Sequence, residues 1–139
     1  LARRTPALTA LELDPVLARR VRRQLGERVR VVDGDGTAMP FEPEAFSGVV
    51  CFTMLHHVPS AALQDRLFAE AFRVLRPGGV FAGADSLPSL AFRLLHVADT
   101  MVLIDPSTLP QRLEAAGFSE VAVQSVRGRA FRFSARKAA

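Results

Sequence analysis

The sequence predicts an α/β fold: a mostly parallel sheet with helices on both faces and an antiparallel β-hairpin at its C-terminal end. Apolar runs typical of strands alternate with amphipathic helical segments along most of the chain, which favours parallel strands joined by crossover helices. Two alternating segments near the end are separated by Arg127-Gly128-Arg129, a spacing typical of a hairpin. Because 49% of the 139 residues are hydrophobic, the chain can bury a core, and we predict one domain over residues 1–139.

The first predicted elements are a strand, a helix and a second strand. The mostly apolar run from Ala7 to Asp14 ends at Asp-Pro, where Asp14 suits a helix N-cap and Pro15 the first helical position. Apolar residues then recur at helical spacing until Gly26, which predicts an amphipathic helix of about eleven residues. The segment RVRVVDGD predicts a short strand, and the segment after it, rich in Pro and Gly, predicts a loop.

A buried strand, a long helix and a further strand follow. GVVCFTML is a continuous apolar run, as expected for a central strand covered on both faces. Ser60 opens a helix that is expected to close at Pro77-Gly78, and VFAGAD is the next strand. The broad apolar stripe of this helix consists of Leu63, Leu67, Phe68, Ala71, Val74 and Leu75.

The last third of the chain predicts two helices before the hairpin. LPSLAFRLLHVADTMVL, residues 87–103, is apolar enough for a helix that packs against or partly covers a site. TLPQRLEAAGF is a short capped helix that ends at Gly117. EVAVQSV and AFRFSARK are the alternating strands of the hairpin.

Composition narrows the function classes. Residues 1–30 hold eight Arg against three acids, whereas the rest has ten basic and eleven acidic residues, so the net charge of +4 is local. No aromatic residues interleave with this Arg cluster, so we predict no nucleic-acid partner. No apolar stretch approaches the roughly 20 residues of a membrane span, and no targeting segment is visible, so we predict a cytoplasmic protein without a membrane partner.

Cys51 is the single cysteine of the chain. We expect it to be a buried strand residue rather than a reactive thiol, and we expect no disulfide and no multi-Cys metal site.

Polar residues follow the predicted strands, where open α/β sheets bind ligands. Because side chains alternate along a strand, Glu12 is the candidate for the paired hydroxyls of a ribose, and Asp14 is the helix cap. Alternatively, Glu12 and Asp14 could both serve only as helix-capping or solvent-exposed residues. The residues concerned at the four strand ends are Glu12, Asp14, Asp33, Asp35, Thr53, His56, His57 and Asp85.

Two further candidates have open alternatives. Asp35 lies between glycines, so the backbone there can approach a planar ligand while the carboxylate accepts from an amino group; an ordinary turn Asp looks the same. His57 could act as a general base near neutral pH, or it could cap or pack against the following helix, and His56 is the weaker candidate for a base. Neighbouring His residues without a partner at ligand spacing predict no metal site.

Four segments together resemble the successive motifs of class I S-adenosylmethionine-dependent methyltransferases of the small-molecule type. They are LTALELDP, VVDGDGTAMPFEPEAFSGVVCFTMLHHVPS, AEAFRVLRPGGVFAGAD and LEAAGFSEVAV, and they occur in the family's order over nearly the whole chain. The resemblance implies a Rossmann-like methyltransferase fold. It also implies transfer of the sulfonium methyl to an O, N or C nucleophile of a small molecule.

The resemblance assigns roles to individual residues. Glu12, with Leu13 beside it, would bind the ribose of S-adenosylmethionine, and Asp35 would bind the adenine amine. The backbone at Gly36 would approach the adenine ring, whereas Phe52 and Thr53 would line the methionine end. Residues 87–103 would form much of the acceptor pocket or its lid, and the Arg76-Pro77-Gly78-Gly79 turn would be architectural.

The sequence departs from the family at two places. Phe46 is followed by Ser47-Gly48 rather than Asp, which removes a turn carboxylate. No segment before Leu8 matches the family's first strand and Gly-x-Gly-x-Gly loop, and that strand is central to the family's sheet. We therefore expect an N-terminally truncated fragment with impaired cofactor binding.

Two other functions remain alternatives to the methyltransferase. A dinucleotide-binding oxidoreductase domain needs Gly-x-Gly-x-x-Gly before Glu12 and gives no reason for MLHHVPS followed by LRPGG. The second alternative is a non-catalytic binding module or pseudoenzyme of the same fold. The glycine spacing upstream of Leu1 would discriminate among all three.

Overall fold

The computed structural model describes Thr5 and residues 7–87, 101–127 and 129–139. The chain divides into two compact units, Leu1–Pro40 and Phe41–Ala139, here called the N-terminal and the C-terminal unit. Each unit carries its own sheet. The single domain expected from composition therefore stays a prediction.

The N-terminal unit has the predicted strand, helix and strand. β1 (Thr9–Glu12) pairs in parallel with β2 (Arg30–Asp33), in a register that places Glu12 beside Asp33. Between them lies α1 (Pro15–Leu25), whose eleven residues match the predicted length. Asp14 caps this helix through Oδ1, which accepts from the backbone nitrogen of Val16 at 2.7 Å. Gly26 ends it with a φ of 58°.

The C-terminal unit contains a four-stranded sheet with the expected hairpin. Its elements are β3 (Phe46–Phe52), α2 (Ala61–Val74), β4 (Leu75–Ser86), α3 (Leu109–Ala115), β5 (Ser119–Val126) and β6 (Ala130–Arg136). The strand order is β3-β4-β6-β5. β3 and β4 are parallel, whereas β6 pairs antiparallel with both β4 and β5. The hairpin is thus confirmed, and of the described pairings two are parallel and two antiparallel.

An aromatic cluster forms the core of the C-terminal unit. Phe81 of β4 is fully buried and lies 6.1 Å from Phe68 of α2, 5.6 Å from Phe118 and 5.0 Å from Phe133, measured between ring centroids. Burying each such ring stabilises the fold by roughly 1.5–3 kcal/mol. Helix α2 therefore packs on the face of the sheet that carries Phe81. On the opposite face, Phe52 remains 54% exposed.

The junction between α2 and β4 differs from its predicted boundary. We expected the helix to close at Pro77-Gly78, but α2 ends at Val74 and the chain enters β4 directly at Leu75. The glycines act after the junction, where Gly78 has a φ of 76° and its nitrogen donates to the carbonyl of Lys137 at 2.9 Å. Gly78 thus connects β4 to the residues that follow β6.

The predicted helix over residues 87–103 lies mostly outside the described residues, because only Leu87 and 101–103 belong to them. The described strands form two sheets, and the N-terminal truncation expected from the sequence stays a prediction. Within the described part of the chain, no helix is long and apolar enough to cross a membrane.

Candidate active site

The carboxyl ends of β1 and β2 bring two of the predicted acids to one edge. Glu12 and Asp33 are paired at the last position of the parallel ladder, and the Gly34 nitrogen donates to the Glu12 carbonyl at 3.0 Å. Asp35 follows immediately and is exposed, while Glu12 is half-buried. Both acids predicted to bind an adenosyl group therefore lie at the same end of the same sheet.

The Glu12 carboxylate also takes part in the local turn. Its Oε1 accepts from the backbone nitrogen of Asp14 at 3.1 Å, so it orders the two residues between β1 and α1. Glu12 therefore does accept a local backbone hydrogen bond, as the capping alternative in the sequence analysis supposed. Glu12 as a whole is half-buried. The neighbouring Leu13 is 69% exposed, and such an apolar side chain can contact a sugar or base.

Asp35 builds an Asx turn. Its Oδ1 accepts from the Thr37 nitrogen at 2.7 Å, and its carbonyl accepts from the Ala38 nitrogen at 3.1 Å. Gly34, just before Asp35, is closely packed: a Cβ on Gly34 would lie 2.9 Å from Cδ1 of Leu11 and 3.0 Å from Cδ of Pro40. These two hydrogen bonds thus hold the Asp35 carboxylate in a defined position at the sheet edge.

The donor and acceptor chemistry of this edge fits an adenosyl group. An ionised carboxylate only accepts hydrogen bonds, whereas the ribose hydroxyls and the adenine amine donate them. Glu12 and Asp35 therefore offer acceptors of the required kind on two adjacent strand ends.

The carboxyl end of β3 holds the other predicted cofactor residues. Phe52 ends the strand, and Thr53 follows with a φ of 49°, its nitrogen donating to the Ala84 carbonyl at 2.8 Å. A β-branched residue at positive φ is strained, and such strain is concentrated at functional sites. The structure thus makes Thr53 a special position for a reason the sequence does not reveal.

A buried histidine–aspartate pair lies at the ends of β3 and β4. Asp85 is 2% exposed and His56 is 4% exposed. One carboxylate oxygen, Oδ2, accepts from the His56 nitrogen at 3.1 Å, and Oδ1 lies 2.5 Å from the His56 ring nitrogen Nδ1. The sequence placed both residues at strand ends, but it gave no sign that they pair.

His57, the predicted general base, is exposed. Its nitrogen donates to the Met54 carbonyl at 3.0 Å, which places it in the single turn Leu55–His57. Its ring centroid lies 4.1 Å from that of His56, with the planes tilted by 43°. The exposed ring therefore rests against the buried one.

Gln64 of α2 ties this turn to the segment that follows residue 100. Its Nε2 donates to the carbonyls of Leu55 at 3.1 Å and Val102 at 2.7 Å, and the Val102 nitrogen donates to the His56 carbonyl at 3.0 Å. Gln64 is fully buried, and its Oε1 has no hydrogen-bond partner among the described residues. Sequence analysis placed Gln64 in the helix without assigning it a role; an uncharged polar residue within an apolar stripe is the signal that could have found it.

Cys51 is buried in β3, as predicted. Burial, and after it the negative charge of Asp85, raises the pKa of the Cys51 thiol to about 12. This thiol is therefore uncharged at neutral pH and unsuited to nucleophilic chemistry. Within the described ranges, no three His, Cys, Asp or Glu residues are placed to hold a metal ion.

Comparisons with known proteins relate this chain to methyltransferases. The sequence profile of the methyltransferase domain matches residues 1–83. The erythromycin 3''-O-methyltransferase of Saccharopolyspora erythraea is 30% identical over 123 residues, which are 76% of this chain and 39% of that protein. The sterol 24-C-methyltransferase of Schizosaccharomyces pombe is 41% identical over 61 residues, which are 44% of this chain and 15% of that protein. The chain thus spans well under half the length of these relatives.

A solved structure shows the same fold. Human N-acetylserotonin methyltransferase in complex with S-adenosylmethionine superposes with a TM-score of 0.75 at 19% identity, over 96% of this chain and 41% of that chain. At this identity the likeness supports the Rossmann-like methyltransferase fold predicted from the sequence.

Proposed function

The chain belongs to the methyltransferase-domain family of class I S-adenosylmethionine-dependent methyltransferases, and on this premise we propose that its protein transfers a methyl group to a small molecule. The observation that carries the proposal is the common position of Glu12 and Asp35 at the carboxyl end of β1 and β2. Two acceptors at adjacent strand ends suit the donors of an adenosyl group.

The cofactor supplies the reactive methyl on a sulfonium, and the protein binds and orients. Glu12 would accept from the ribose hydroxyls, with Leu13 against the sugar. Asp35 would accept from the adenine amine, with the backbone at Gly36 beside the ring. Phe52 and Thr53 belong to the C-terminal unit and are exposed, and their contact with the methionine part stays a prediction from the sequence.

The acceptor we propose is a small molecule with an apolar part. One relative is named as a sterol 24-C-methyltransferase and the other as an erythromycin 3''-O-methyltransferase, and these names support a small-molecule acceptor. Methyl transfer needs donor and acceptor held in line more than it needs strong acid–base groups. The acceptor atom is therefore a separate question from the cofactor.

Titration of the ¹⁵N-labelled chain with S-adenosylhomocysteine tests the proposal, because NMR detects weak as well as tight binding. We expect shift changes centred on Glu12, Leu13, Asp35 and Gly36. Glu12→Gln should weaken binding at least tenfold, since a charged acceptor is lost. Glu27→Gln, an exposed acid of the same unit, is the matched control and should bind like the wild type. Shift changes that avoid the β1–β2 edge would overturn the assignment.

A further inference from the structure

The carboxylate of Asp33 lies at the carboxyl end of β1 and β2 but has no part in the cofactor contacts proposed above. Asp33 ends β2 beside Glu12, its register partner at the end of β1. Register partners in neighbouring strands carry their side chains on the same face of the sheet, and the strands lie about 4.8 Å apart. Both carboxylates therefore project from one face at neighbouring strand ends, where open α/β sheets bind ligands.

Arg22 of α1 offsets the repulsion between these two carboxylates. Like charges at directly neighbouring strand positions destabilise a sheet. Nη2 of Arg22 donates to Oδ1 of Asp33 at 2.9 Å and to the carbonyl of Val31 at 3.1 Å. The side chains of Arg22 and Asp33 are 40% and 51% exposed, and such an ion pair adds at most about 1 kcal/mol to stability. Its main effect is therefore to neutralise Asp33 and to hold it in place.

The oxygens that remain available suit a pair of hydroxyl groups. Oε1 of Glu12 accepts from the Asp14 nitrogen, and Oδ1 of Asp33 accepts from Arg22. In the part of the chain that the structure describes, no donor lies within hydrogen-bond distance of Glu12 Oε2 or Asp33 Oδ2. A ribose offers two neighbouring hydroxyl donors, and an ionised carboxylate is an acceptor only. Two strand ends thus provide one open acceptor for each hydroxyl.

We propose that Asp33 is a second ribose-binding residue, so that Glu12 and Asp33 each accept from one hydroxyl of the adenosyl ribose, and that Arg22 is the positioning residue of Asp33. This inference rests on the proposed function and adds to it a contact on β2. The resemblance assigned the ribose to Glu12, with Leu13 beside it. The ion pair with Arg22 is what allows a second carboxylate to share the ribose at this edge.

Binding of three ligands to the ¹⁵N-labelled chain tests the role of Asp33. The ligands are S-adenosylhomocysteine and its 2′-deoxy and 3′-deoxy analogues, and NMR titration gives each affinity. Asp33→Ala should weaken binding of S-adenosylhomocysteine about tenfold, because a hydrogen bond to a charged acceptor is lost. The same substitution should cost nothing further with the analogue that lacks the hydroxyl bound by Asp33. Glu12→Gln should show this behaviour with the other analogue.

Asp65→Ala is the matched control. Asp65 also accepts from an arginine, with Nε of Arg112 at 2.7 Å, and its side chain is 53% exposed. It lies in α2 of the C-terminal unit and has no part in the proposed ribose contacts. Asp65→Ala should therefore bind all three ligands like the wild type.

Variants of Arg22 test its positioning role. Arg22→Met removes both hydrogen bonds and should weaken S-adenosylhomocysteine binding about threefold, the scale of an exposed ion pair. Arg22→Lys should restore the affinity, because a single nitrogen of Arg22 makes both bonds. In the Asp33→Ala background, Arg22→Met should have no further effect. A loss that persists in this background would show that Arg22 does not act through Asp33.

The pattern of losses decides the proposal. Coupling of Glu12 and Asp33 to different hydroxyls supports the division of the ribose between two strands. Three results would contradict it: coupling of both residues to the same hydroxyl, an Asp33→Ala loss that is equal for all three ligands, and no loss at all. A wild-type chain that binds none of the three ligands would instead refute the proposed function itself.

Discussion

Gly83 of β4 lies directly opposite Cys51 of β3 in the parallel ladder, so close that a Cβ on Gly83 would clash with the Cys51 carbonyl oxygen. The same Cβ would lie 2.8 Å from Cε1 of Phe133, so atoms of both neighbouring strands, β3 and β6, leave no space for a side chain at position 83. This contact lets β3, β4 and β6 pack closely beside the Asp85 end of the sheet.

Gly83→Ala should therefore destabilise the protein strongly. The added methyl group meets backbone and a buried ring, neither of which can move cheaply, so we expect a loss of about 3 kcal/mol or more in the free energy of unfolding. Gly48→Ala is the matched control, because its Cβ would have only the Val80 carbonyl oxygen nearby, at 3.7 Å. Urea denaturation of both variants gives the comparison, and equal midpoints would contradict the packing described.

Lys137 should stabilise the junction between α2 and β4. Its Nζ donates to the carbonyls of Leu75 at 2.8 Å and Phe72 at 3.2 Å, and it lies 4.7 Å from the Phe72 ring centroid. Lys137→Met keeps most of the chain length but removes these contacts, so we expect a loss of about 1–2 kcal/mol. Arg132→Met, on the exposed part of β6, should change stability by less than about 0.5 kcal/mol. Denaturant midpoints of the two variants measure the difference, and an equal loss in both would contradict the role of Lys137.

The pKa of Cys51, raised to about 12 mainly by burial, predicts both slow alkylation and a pH-dependent stability. At pH 8 a thiol reagent should react with the folded chain far more slowly than with the chain in urea. The folded thiol keeps its proton above the ordinary pKa of 9.0, where the unfolded thiol loses it, so stability is full below pH 9.0 and falls above it. Cys51→Ala should lack this component, and a fall of the same size in that variant would contradict the prediction.

Gln64→Glu should show what the buried amide does. A carboxylate at this position would face the carbonyl oxygens of Leu55 and Val102 without a proton to donate, so we expect a loss of about 3 kcal/mol or more at pH 7. Burial raises the pKa of such a carboxyl, so the loss should shrink as the pH falls and the group becomes protonated. Gln111→Glu, on the exposed face of α3, is the control and should be nearly neutral. Thermal unfolding of both variants between about pH 4 and about pH 7 measures how the stability loss of each depends on pH.

Local signals explain why much of the fold was predictable. Asp14, Pro15 and Gly26 are cap residues whose effect depends only on their own neighbours, and α1 begins and ends where they indicate. The same holds for Ser60, whose hydroxyl accepts from the Leu63 nitrogen at 3.2 Å. Strand alternation singled out Glu12, and the flanking glycines singled out Asp35. The structure places both at one edge, and their binding roles stay predictions.

The features that the sequence missed depend on residues far apart in the chain. His56 and Asp85 are 29 positions apart, and nothing local in the sequence shows that they pair. The end of α2 was misplaced for the same reason, since Lys137 donates to the carbonyls of Phe72 and Leu75 from 65 and 62 positions away. The backbone strain at Thr53 likewise becomes visible only in the folded chain.

The account depends most on Glu12 binding the ribose of the cofactor, and a two-by-two binding cycle measures that contact. The cycle compares wild type and Glu12→Gln with S-adenosylhomocysteine and with its analogue lacking the ribose 3′-hydroxyl. We predict that the two losses overlap, with a coupling of about 1.5–3 kcal/mol for a charged hydrogen bond. Losses that simply add would show that Glu12 does not contact the ribose, and would contradict the proposed site.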